Sequence, residues 1–176
     1  MMSTPSAAAL ARPERTGDVA AIREIHEQAF GRAAEADLVD ALRAHGKAAL
    51  SLVAVRGERV AGHILFSPVT IESGGRVTAA VGLGPMAVLP PHQREGIGSL
   101  LVWAGLEACR QAGHASVVVL GHPAYYPRFG FVPATRHGLR WEHPAPDEAF
   151  MVLALRDRAL TGPGGIVRYQ PEFGGV

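Results

Sequence analysis

One stretch constrains the fold more than any other, and it is residues 81–112, VGLGPMAVLPPHQREGIGSLLVWAGLEACRQA. An apolar run ends at Val88 and is followed by two prolines, a polar turn and then apolar residues at helical spacing. This order predicts a strand, a loop and a helix that begins near Gly96. The first N–H groups of such a helix have no partners within it, and its dipole favours negative charge there. Gly96 and Gly98 let a phosphate approach the backbone and Ser99 adds a hydroxyl, so the loop predicts an anion site.

The loop differs from two common phosphate-binding motifs. No Gly-Lys-Ser/Thr follows it, as in a Walker loop, and Leu101 stands where a dinucleotide fingerprint has its third glycine. Gln93, Gly96 and Gly98 instead match the pattern Gln/Arg-x-x-Gly-x-Gly/Ala of the GNAT family of N-acetyltransferases, which the chain resembles. The Met-Ala-Val-Leu-Pro segment before the loop also resembles the core strand of that family.

The resemblance implies acetyl-CoA as the acyl-donor substrate, held by two groups of residues. Backbone groups at the end of the strand would bind pantetheine and polarise the thioester carbonyl, and the loop would hold the pyrophosphate. The strand residues are Met86, Ala87 and Val88, and the loop residues are Gln93, Arg94, Glu95, Gly96, Ile97, Gly98 and Ser99.

The second informative stretch is residues 120–131, LGHPAYYPRFGF. Taken alone, it is typical of aromatic side chains that hold a short helix against a sheet. Its Tyr-Tyr-x-x-Phe-Gly-Phe signature resembles a bacterial branch of the same family, and Tyr126 stands five residues before Phe131, where that family has a tyrosine. The resemblance implies that this phenol, protonated at neutral pH, gives a proton to the departing CoA thiolate. Tyr125 is then expected to contact the substrate.

The acceptor amine must lose a proton before it attacks the thioester, so a base or a water relay is needed. Many members of the family place a carboxylate on a core strand, but the predicted strand Arg76–Val88 contains no Asp or Glu. Backbone carbonyls that hold a water are one alternative to a side-chain base. The candidate bases are Glu27, Glu35, His63 and His122. We predict substrate contacts at Glu27, His63, His122 and Tyr125, and a structural role for His63 or an exposed loop position for His122 stays open.

The composition bounds the class of protein. With 176 residues, of which 48% are hydrophobic, the chain fits one α/β domain. Seventeen basic and sixteen acidic residues give a net charge of +1 without a long basic run, so neither nucleic acid nor a membrane is expected as a partner. The lone Cys109 is typical of a buried thiol, and the eight histidines have no ligand spacing, so no metal is expected. The compartment is predicted to be cytoplasmic.

The fold class predicted is α/β, a single GNAT-like domain with a mixed, mostly antiparallel central sheet flanked by helices. Its elements are expected in the order β, α, α, β, β, β, α, β, α, β, β. Residues 1–11 are predicted to be a frayed leader, because they lack the basic start and long apolar core of a secretory signal. Residues 12–176 are predicted to form one acyl-CoA N-acyltransferase domain, with a C-terminal tail too apolar to be free.

The predicted function is transfer of an acetyl group from acetyl-CoA to a primary amine by direct attack. The acceptor is a small molecule or a protein, and a homodimer stays open. The alternative is a non-catalytic acyl-CoA-binding or sensory module of the same fold, which the missing strand carboxylate favours. A nucleotide-binding protein would need a base pocket and metal ligands that the sequence does not show.

Overall fold

A computed structural model describes residues 8–176 of the chain. Within that range, nine strands form one sheet and three α-helices pack against it. The strands are β1 (Leu10–Pro13), β2 (Leu50–Arg56), β3 (Arg59–Ser73), β4 (Arg76–Val88), β5 (Ser116–Leu120), β6 (Val132–Pro133), β7 (Leu139–Trp141), β8 (Phe150–Ala154) and β9 (Gly165–Arg168). The α-helices are α1 (Val19–Phe30), α2 (Ala34–Ala44) and α3 (Ile97–Gln111). Single 3-10 turns lie at Thr16–Asp18, Pro90–His92, Tyr126–Phe129, Ala134–His137 and Pro171–Gly175.

The sheet has the strand order β1-β2-β3-β4-β5-β8-β6. Strands β1 to β4 pair antiparallel in sequence, and β5 then joins β4 in parallel. A parallel neighbour needs a crossover connection, and α3 supplies it. Strand β9 pairs antiparallel with β3 and parallel with β7. The predicted class, a mixed and mostly antiparallel sheet flanked by helices, is confirmed.

The two faces of the sheet carry different helices. Successive side chains of a strand point to opposite faces, and in β3 Ile64 and Phe66 pack with α3 while Leu65 packs with α1 and α2. Gly62 on the same strand lets α3 come close, since a Cβ there would lie 3.0 Å from Ile97 Cγ2. The start of α3 is therefore fixed directly over the middle of the sheet.

Two elements differ from the sequence prediction. The hairpin signal at Gly57 and Glu58 predicts a strand over residues 59–68. Strand β3 instead continues to Ser73, because it pairs with β4 along this whole extension and with β9 over Thr70–Glu72. The helix expected after β5 is only the 3-10 turn Tyr126–Phe129. Pro127 stands in its first turn, and Gly130 ends it with a φ of +98°.

Residues near both ends of the described range contact the rest of the domain. Most of the predicted leader, residues 1–7, lies outside the described residues, while Leu10 and Ala11 belong to β1 and pair with β2. These two residues of the predicted leader therefore belong to the sheet. At the other end, β9 extends the sheet and Phe173 packs against the core that α2 shares with β2 and β3. The Glu172 carboxylate accepts a hydrogen bond from Lys47 Nζ at 2.7 Å, so the C-terminal segment is packed against the domain.

Candidate active site

Strands β4 and β5 separate in the middle of the sheet. Their parallel pairing covers only residues 81–83 of β4 and residues 117–119 of β5. Beyond Leu83, β4 runs on to Val88 and stays paired with β3 on its other side. The backbone of residues 84–88 that faces away from β3 therefore has no β5 partner, and such unpaired groups are ready to bind an extended ligand.

The N-terminus of α3 lies immediately after this open edge. Gly96 precedes the helix with a φ of +83°, a conformation in which other residues are strained. The first intrahelical bond runs from Leu100 N–H to the Gly96 carbonyl at 3.0 Å. The N–H groups of Ile97, Gly98 and Ser99 precede that bond, so they have no intrahelical acceptor. Together with the helix dipole, these N–H groups supply the donors and the positive potential that an anion site needs.

The two glycines of the loop have different surroundings. A Cβ on Gly96 would meet no atom within 4 Å, so this position faces open space. A Cβ on Gly98 would lie 3.0 Å from Tyr125 Oη and 3.8 Å from Met86 Cε. Glycine at 98 thus keeps a narrow space free between the helix, the end of β4 and a phenol. Val88 also borders this space, because its Cγ2 lies 4.0 Å from the position of a Cβ on Gly98.

Two of the loop side chains predicted to contact the cofactor are engaged elsewhere. Gln93 Nε2 donates to the Val88 carbonyl at 3.0 Å. The Glu95 carboxylate pairs with Arg56, and His92 Nδ1 lies 3.6 Å from it. Both side chains therefore fix the loop to its neighbours and leave only their backbone for a ligand. The resemblance placed these residues in the loop correctly but says nothing about their side-chain partners.

Arg94 and Ile97 differ in exposure: the Arg94 side chain faces solvent, and the Ile97 side chain is buried. Arg94 is exposed with a φ of +62°, and among residues 8–176 no carboxylate lies within ion-pair distance of it. Its charge is therefore available to an anion at the start of α3. Ile97 is 3% exposed and belongs to the core between α3 and the sheet, so its side chain anchors the helix.

The two adjacent tyrosines occupy different places. Tyr125 Oη lies 3.3 Å from Ser99 Oγ, so this phenol stands at the start of α3. Tyr126 is buried, and its ring packs edge-on against Tyr125 and Phe131 with centroids at 5.1 and 5.7 Å. Burial, followed by the nearby Tyr125, raises the pKa of Tyr126 well above its usual value. Tyr126 is therefore protonated at neutral pH, as a proton donor must be.

His63 is part of a buried polar chain. It is fully buried, with His26 Nε2 2.8 Å from its Nδ1 and Ser51 Oγ 2.8 Å from its Nε2. Ser51 in turn contacts the Glu14 carboxylate, whose other oxygen accepts a hydrogen bond from Arg43 Nε at 2.6 Å. The expectation that His63 contacts the acceptor is therefore corrected, since both ring nitrogens are occupied inside the protein.

The protonation states of these hydrogen-bonded side chains follow from their surroundings. Burial alone would raise the pKa of Glu14, but the nearby His63 and hydrogen bonds from Arg43 and Ser51 outweigh it and lower the pKa to about 2. Burial, followed by electrostatic repulsion from His63 and Arg43 that a protonated His26 would meet, lowers the pKa of His26 to about 3. Glu14 is thus an acceptor only, Ser51 donates to it, and His63 and His26 donate along the chain as neutral rings.

The other proposed bases lie on α1, α2 and the loop after β5. Glu27 pairs with Arg23 Nε at 2.9 Å and is partly exposed. Glu35 accepts bonds from Arg32 Nε at 3.1 Å, and these hydrogen bonds lower the pKa of Glu35 despite burial. His122 is exposed, and its carbonyl accepts the Tyr125 N–H at 3.0 Å. None of the three contacts the start of α3 within the described residues.

Other chemistries receive no support in the part of the chain described. No group of three His, Cys, Asp or Glu side chains among residues 8–176 is arranged to hold a metal ion. No helix in that range is long and apolar enough to cross a membrane. Cys109 is buried, and burial raises the pKa of its thiol to about 12, which suppresses a thiolate nucleophile.

The sequence reasoning missed the buried chain that contains His26, Ser51 and Glu14. These residues lie on α1, on β2 and directly after β1, and only the folded sheet brings them together. The available signal was a histidine on the apolar face of α1, one residue after the buried Ile25. A single histidine on such a face does not identify its partner.

Comparison with known proteins agrees with this geometry. The profile of the Acetyltransferase (GNAT) domain matches residues 11–134. The chain is 40% identical over 165 residues to the uncharacterized N-acetyltransferase YhbS of Escherichia coli K12, covering 93% of this chain and 98% of that protein. The crystal structure of E. coli YhbS in complex with CoA superposes with a TM-score of 0.91 at 39% identity, covering 99% and 96% of the two chains. A GNAT acetyltransferase from Brucella melitensis in complex with acetyl-CoA gives a TM-score of 0.77 at 40% identity, covering 94% and 98%. The chain therefore belongs to the GNAT family of N-acetyltransferases.

Proposed function

We propose that this protein transfers the acetyl group of acetyl-CoA to a primary amine, carried by a small molecule or a protein, by direct attack in the cytoplasm. The observation that carries the proposal is the juxtaposition of the α3 N-terminus with the unpaired edge of β4. An anion site beside an open strand edge suits a ligand that has a pyrophosphate and an amide-containing arm. The structures of the two relatives, one with CoA and one with acetyl-CoA, support this ligand.

Two parts of the site would bind the ligand, the N-terminus of α3 and the open edge of β4. The N–H groups of Ile97, Gly98 and Ser99, with the charge of Arg94, would hold the pyrophosphate. The backbone of β4 at Met86, Ala87 and Val88 would hydrogen-bond pantetheine along its open edge. The thioester would then lie where β4 and β5 separate.

Catalysis would proceed without an acyl-enzyme. The neutral amine nitrogen forms a bond to the thioester carbonyl carbon, the carbon–sulfur bond breaks, and the thiolate takes a proton from Tyr126. The amine gives up its own proton to water, and water returns a proton to the Tyr126 phenolate, so the enzyme is regenerated. The raised pKa of Tyr126 keeps this phenol protonated until the thiolate forms. The absence of Asp and Glu from β4 favours water over a side-chain base.

A second candidate is a non-catalytic acyl-CoA-binding or sensory module. The enclosed His63 and the ion-paired Glu27 and Glu35 favour it, because each has a partner inside the protein. Such a module would bind acetyl-CoA through the same loop but would lack turnover.

The two candidates are separated by mixing the protein with acetyl-CoA and a panel of small amines, aminoglycosides and peptides. An acetyltransferase releases the CoA thiol in proportion to the amine, and the amine gains the mass of one acetyl group. Tight acetyl-CoA binding without amine-dependent thiol release across the panel would favour the sensory module. The absence of both binding and release would contradict both candidates.

A further inference from the structure

Three buried polar atoms on one side of the sheet have no hydrogen-bond partner among residues 8–176. They are Ser67 Oγ, Trp141 Nε1 and Tyr169 Oη, from β3, β7 and the segment directly after β9. Proteins pair almost all such atoms, so a ligand group is expected to complete their hydrogen bonds. Trp141 and Tyr169 also lie beyond residue 134, where the match to the GNAT domain ends, so membership of the family says nothing about them.

The hydroxyls of Ser67 and Tyr169, which we call the hydroxyl pair, lie over the same part of β4. Ser67 stands two residues after Leu65, so it shares the face that α1 and α2 cover. It is directly opposite Gly82 in the pairing of β3 with β4. A Cβ on Gly82 would lie 2.8 Å from Cε1 and 3.2 Å from Cζ of Tyr169. Glycine at 82 therefore makes room for the phenol beside Ser67.

The hydroxyl pair lies next to the proposed catalytic centre. Gly82 pairs with Val118 just before β4 and β5 separate. Tyr169 packs in the core that contains Val118, whereas Tyr126 belongs to the core on the α3 side, so the two phenols stand on opposite faces of the sheet. Burial, followed by the nearby Tyr126, raises the pKa of Tyr169 well above its usual value. An acceptor at the hydroxyl pair would therefore reach the thioester from the face opposite to α3.

A cleft of about 290 Å³ on the same face is lined by Trp141. Leu139, Pro144 and Phe150 contribute to its apolar wall. The Trp141 ring also meets Tyr169 edge-on with centroids at 6.1 Å. Trp141 thus contacts both the cleft and the phenol, and its Nε1 can donate to an oxygen of a ligand that extends from one to the other.

The carboxylates of the strands beside the hydroxyl pair already have cationic partners. Strand β4 contains no Asp or Glu, and Glu72 on β3 pairs with Arg168 Nε at 2.8 Å. Glu142 pairs with Arg168 at 3.1 Å and accepts the Tyr169 N–H at 3.0 Å. An ammonium at the hydroxyl pair would therefore lose its hydration without gaining a counter-charge. A neutral amine can donate to the hydroxyl oxygens and keep its lone pair for the attack.

The cleft does not supply a counter-charge either. Its exposed Asp147 lies among lining residues that include Arg140 and His143, so the cleft has no excess of negative charge. The surroundings of the hydroxyl pair thus favour amines that are easily neutral over strongly basic ones.

We propose that the hydroxyl pair binds the acceptor amine in its neutral form, that Trp141 Nε1 donates to a carbonyl of the same molecule, and that the acceptor is an α-amine, as in an amino-acid amide or at a peptide N-terminus. The proposal rests on the proposed function, since it names the acceptor class of that site. With a pKa near 8, about a quarter of α-amines are neutral at pH 7.5, against about 0.1% of lysine side chains. An α-amine of this class also carries a carbonyl for Trp141.

The acceptor class is tested with two peptides of one sequence at pH 7.5 and saturating acetyl-CoA. One has a free N-terminus and no lysine, and the other is N-acetylated and has one lysine. Wild type should acetylate the first with a kcat/KM at least about 50-fold higher, because far more of its amine is neutral. Thiol release gives the rate and mass spectrometry locates the acetyl group. Alaninamide, run in parallel, separates a small amide from a peptide as the preferred source of the α-amine.

The hydroxyl pair is tested with Tyr169→Phe and Ser67→Ala, which each remove one hydroxyl. Each variant should raise the KM for the α-amine about fivefold, as expected for one hydrogen bond, and leave the acetyl-CoA affinity in calorimetry unchanged. Trp141→Phe removes the Nε1 donor and should raise the KM by a similar factor. Trp103→Phe alters the exposed indole on α3 and should keep the wild-type KM.

The outcomes separate this subsite from the proposed function. If wild type acetylates the lysine peptide as efficiently as the α-amine, or if Tyr169→Phe and Ser67→Ala keep the wild-type KM, the subsite is overturned and the proposed function stands. If these variants lose acetyl-CoA affinity together with thermal stability, the hydroxyls support the fold and the subsite is also overturned. If wild type acetylates no amine, both proposals are contradicted.

Discussion

Acidification should destabilise this protein well before its carboxylates titrate, because His26 is buried as a neutral ring. Its pKa is about 3 in the folded protein and close to 6.5 in the unfolded chain. Between these two values the unfolded chain binds a proton that the folded protein does not. The free energy of unfolding therefore falls as the pH falls from about 6.5 towards 3.

The size of the effect follows from the two pKa values. At about pH 5, His26 alone should lower the free energy of unfolding by about 2 kcal/mol relative to pH 8. His63 adds to the loss, because burial lowers its pKa too. Glu14 does not contribute in this range, since its pKa of about 2 lies below an unfolded value near 4.5 and its share is lost only under more acidic conditions.

Urea denaturation at pH 8 and pH 5 measures the difference directly. His26→Gln keeps a donor for His63 Nδ1 but cannot titrate, so it should reduce the pH-dependent loss by about 2 kcal/mol. His122→Gln removes an exposed histidine and should leave the loss as in wild type. Equal losses in wild type and His26→Gln would refute the reasoning, and so would a wild type equally stable at both pH values.

Three further predictions concern catalysis and packing. Tyr126→Phe should lower kcat about 100-fold with little change in acetyl-CoA affinity, because only the proton donor is removed; equal turnover numbers in a steady-state thiol-release assay would remove Tyr126 from the mechanism. Gly105→Ala should lower the free energy of unfolding by about 1–3 kcal/mol, because a Cβ there would lie 2.5 Å from the Phe66 ring; an unchanged denaturation midpoint would show that the ring moves aside freely. With a water relay, no single substitution of a candidate base should abolish turnover at high pH, where the amine is already neutral, and a variant inactive there with normal acceptor binding would identify a dedicated base. The four candidates are Glu27, Glu35, His63 and His122.

The parts of the fold that are set by local pattern could be predicted from the sequence. The apolar runs at residues 76–88 and 116–120 predict two strands, because glycines and prolines bound them. Strands β4 and β5 begin and end at these residues. The start of α3 could also be predicted from local pattern, because Gly96 and Gly98 follow a polar turn and precede apolar residues at helical spacing. Predicting the position of the turn before α3 therefore needed no long-range information.

The details that depend on distant partners could not be predicted. His63 alternates with Leu65 on β3, a pattern that fits a cleft residue and an enclosed one equally well. Its partner His26 comes from α1 and is known only once the helix is packed on the sheet. Likewise, Tyr125 lies beside Ser99 whereas Tyr126 packs against Phe131, and the sequence alone does not show which of the two faces α3. The extension of β3 depends on pairing with β9, about 100 residues later in the chain.

The central claim is that the N-terminus of α3 holds the pyrophosphate of CoA, and calorimetric titration with CoA tests it most directly. Gly98→Asp puts a carboxylate where the phosphate is expected, whereas Gly162→Asp adds the same charge at a glycine whose Cβ would meet no atom within 4 Å. We predict that wild type and Gly162→Asp bind CoA with equal affinity, and that Gly98→Asp, with a melting temperature close to that of wild type, shows no measurable binding. A folded Gly98→Asp that binds CoA as tightly as wild type would contradict the account.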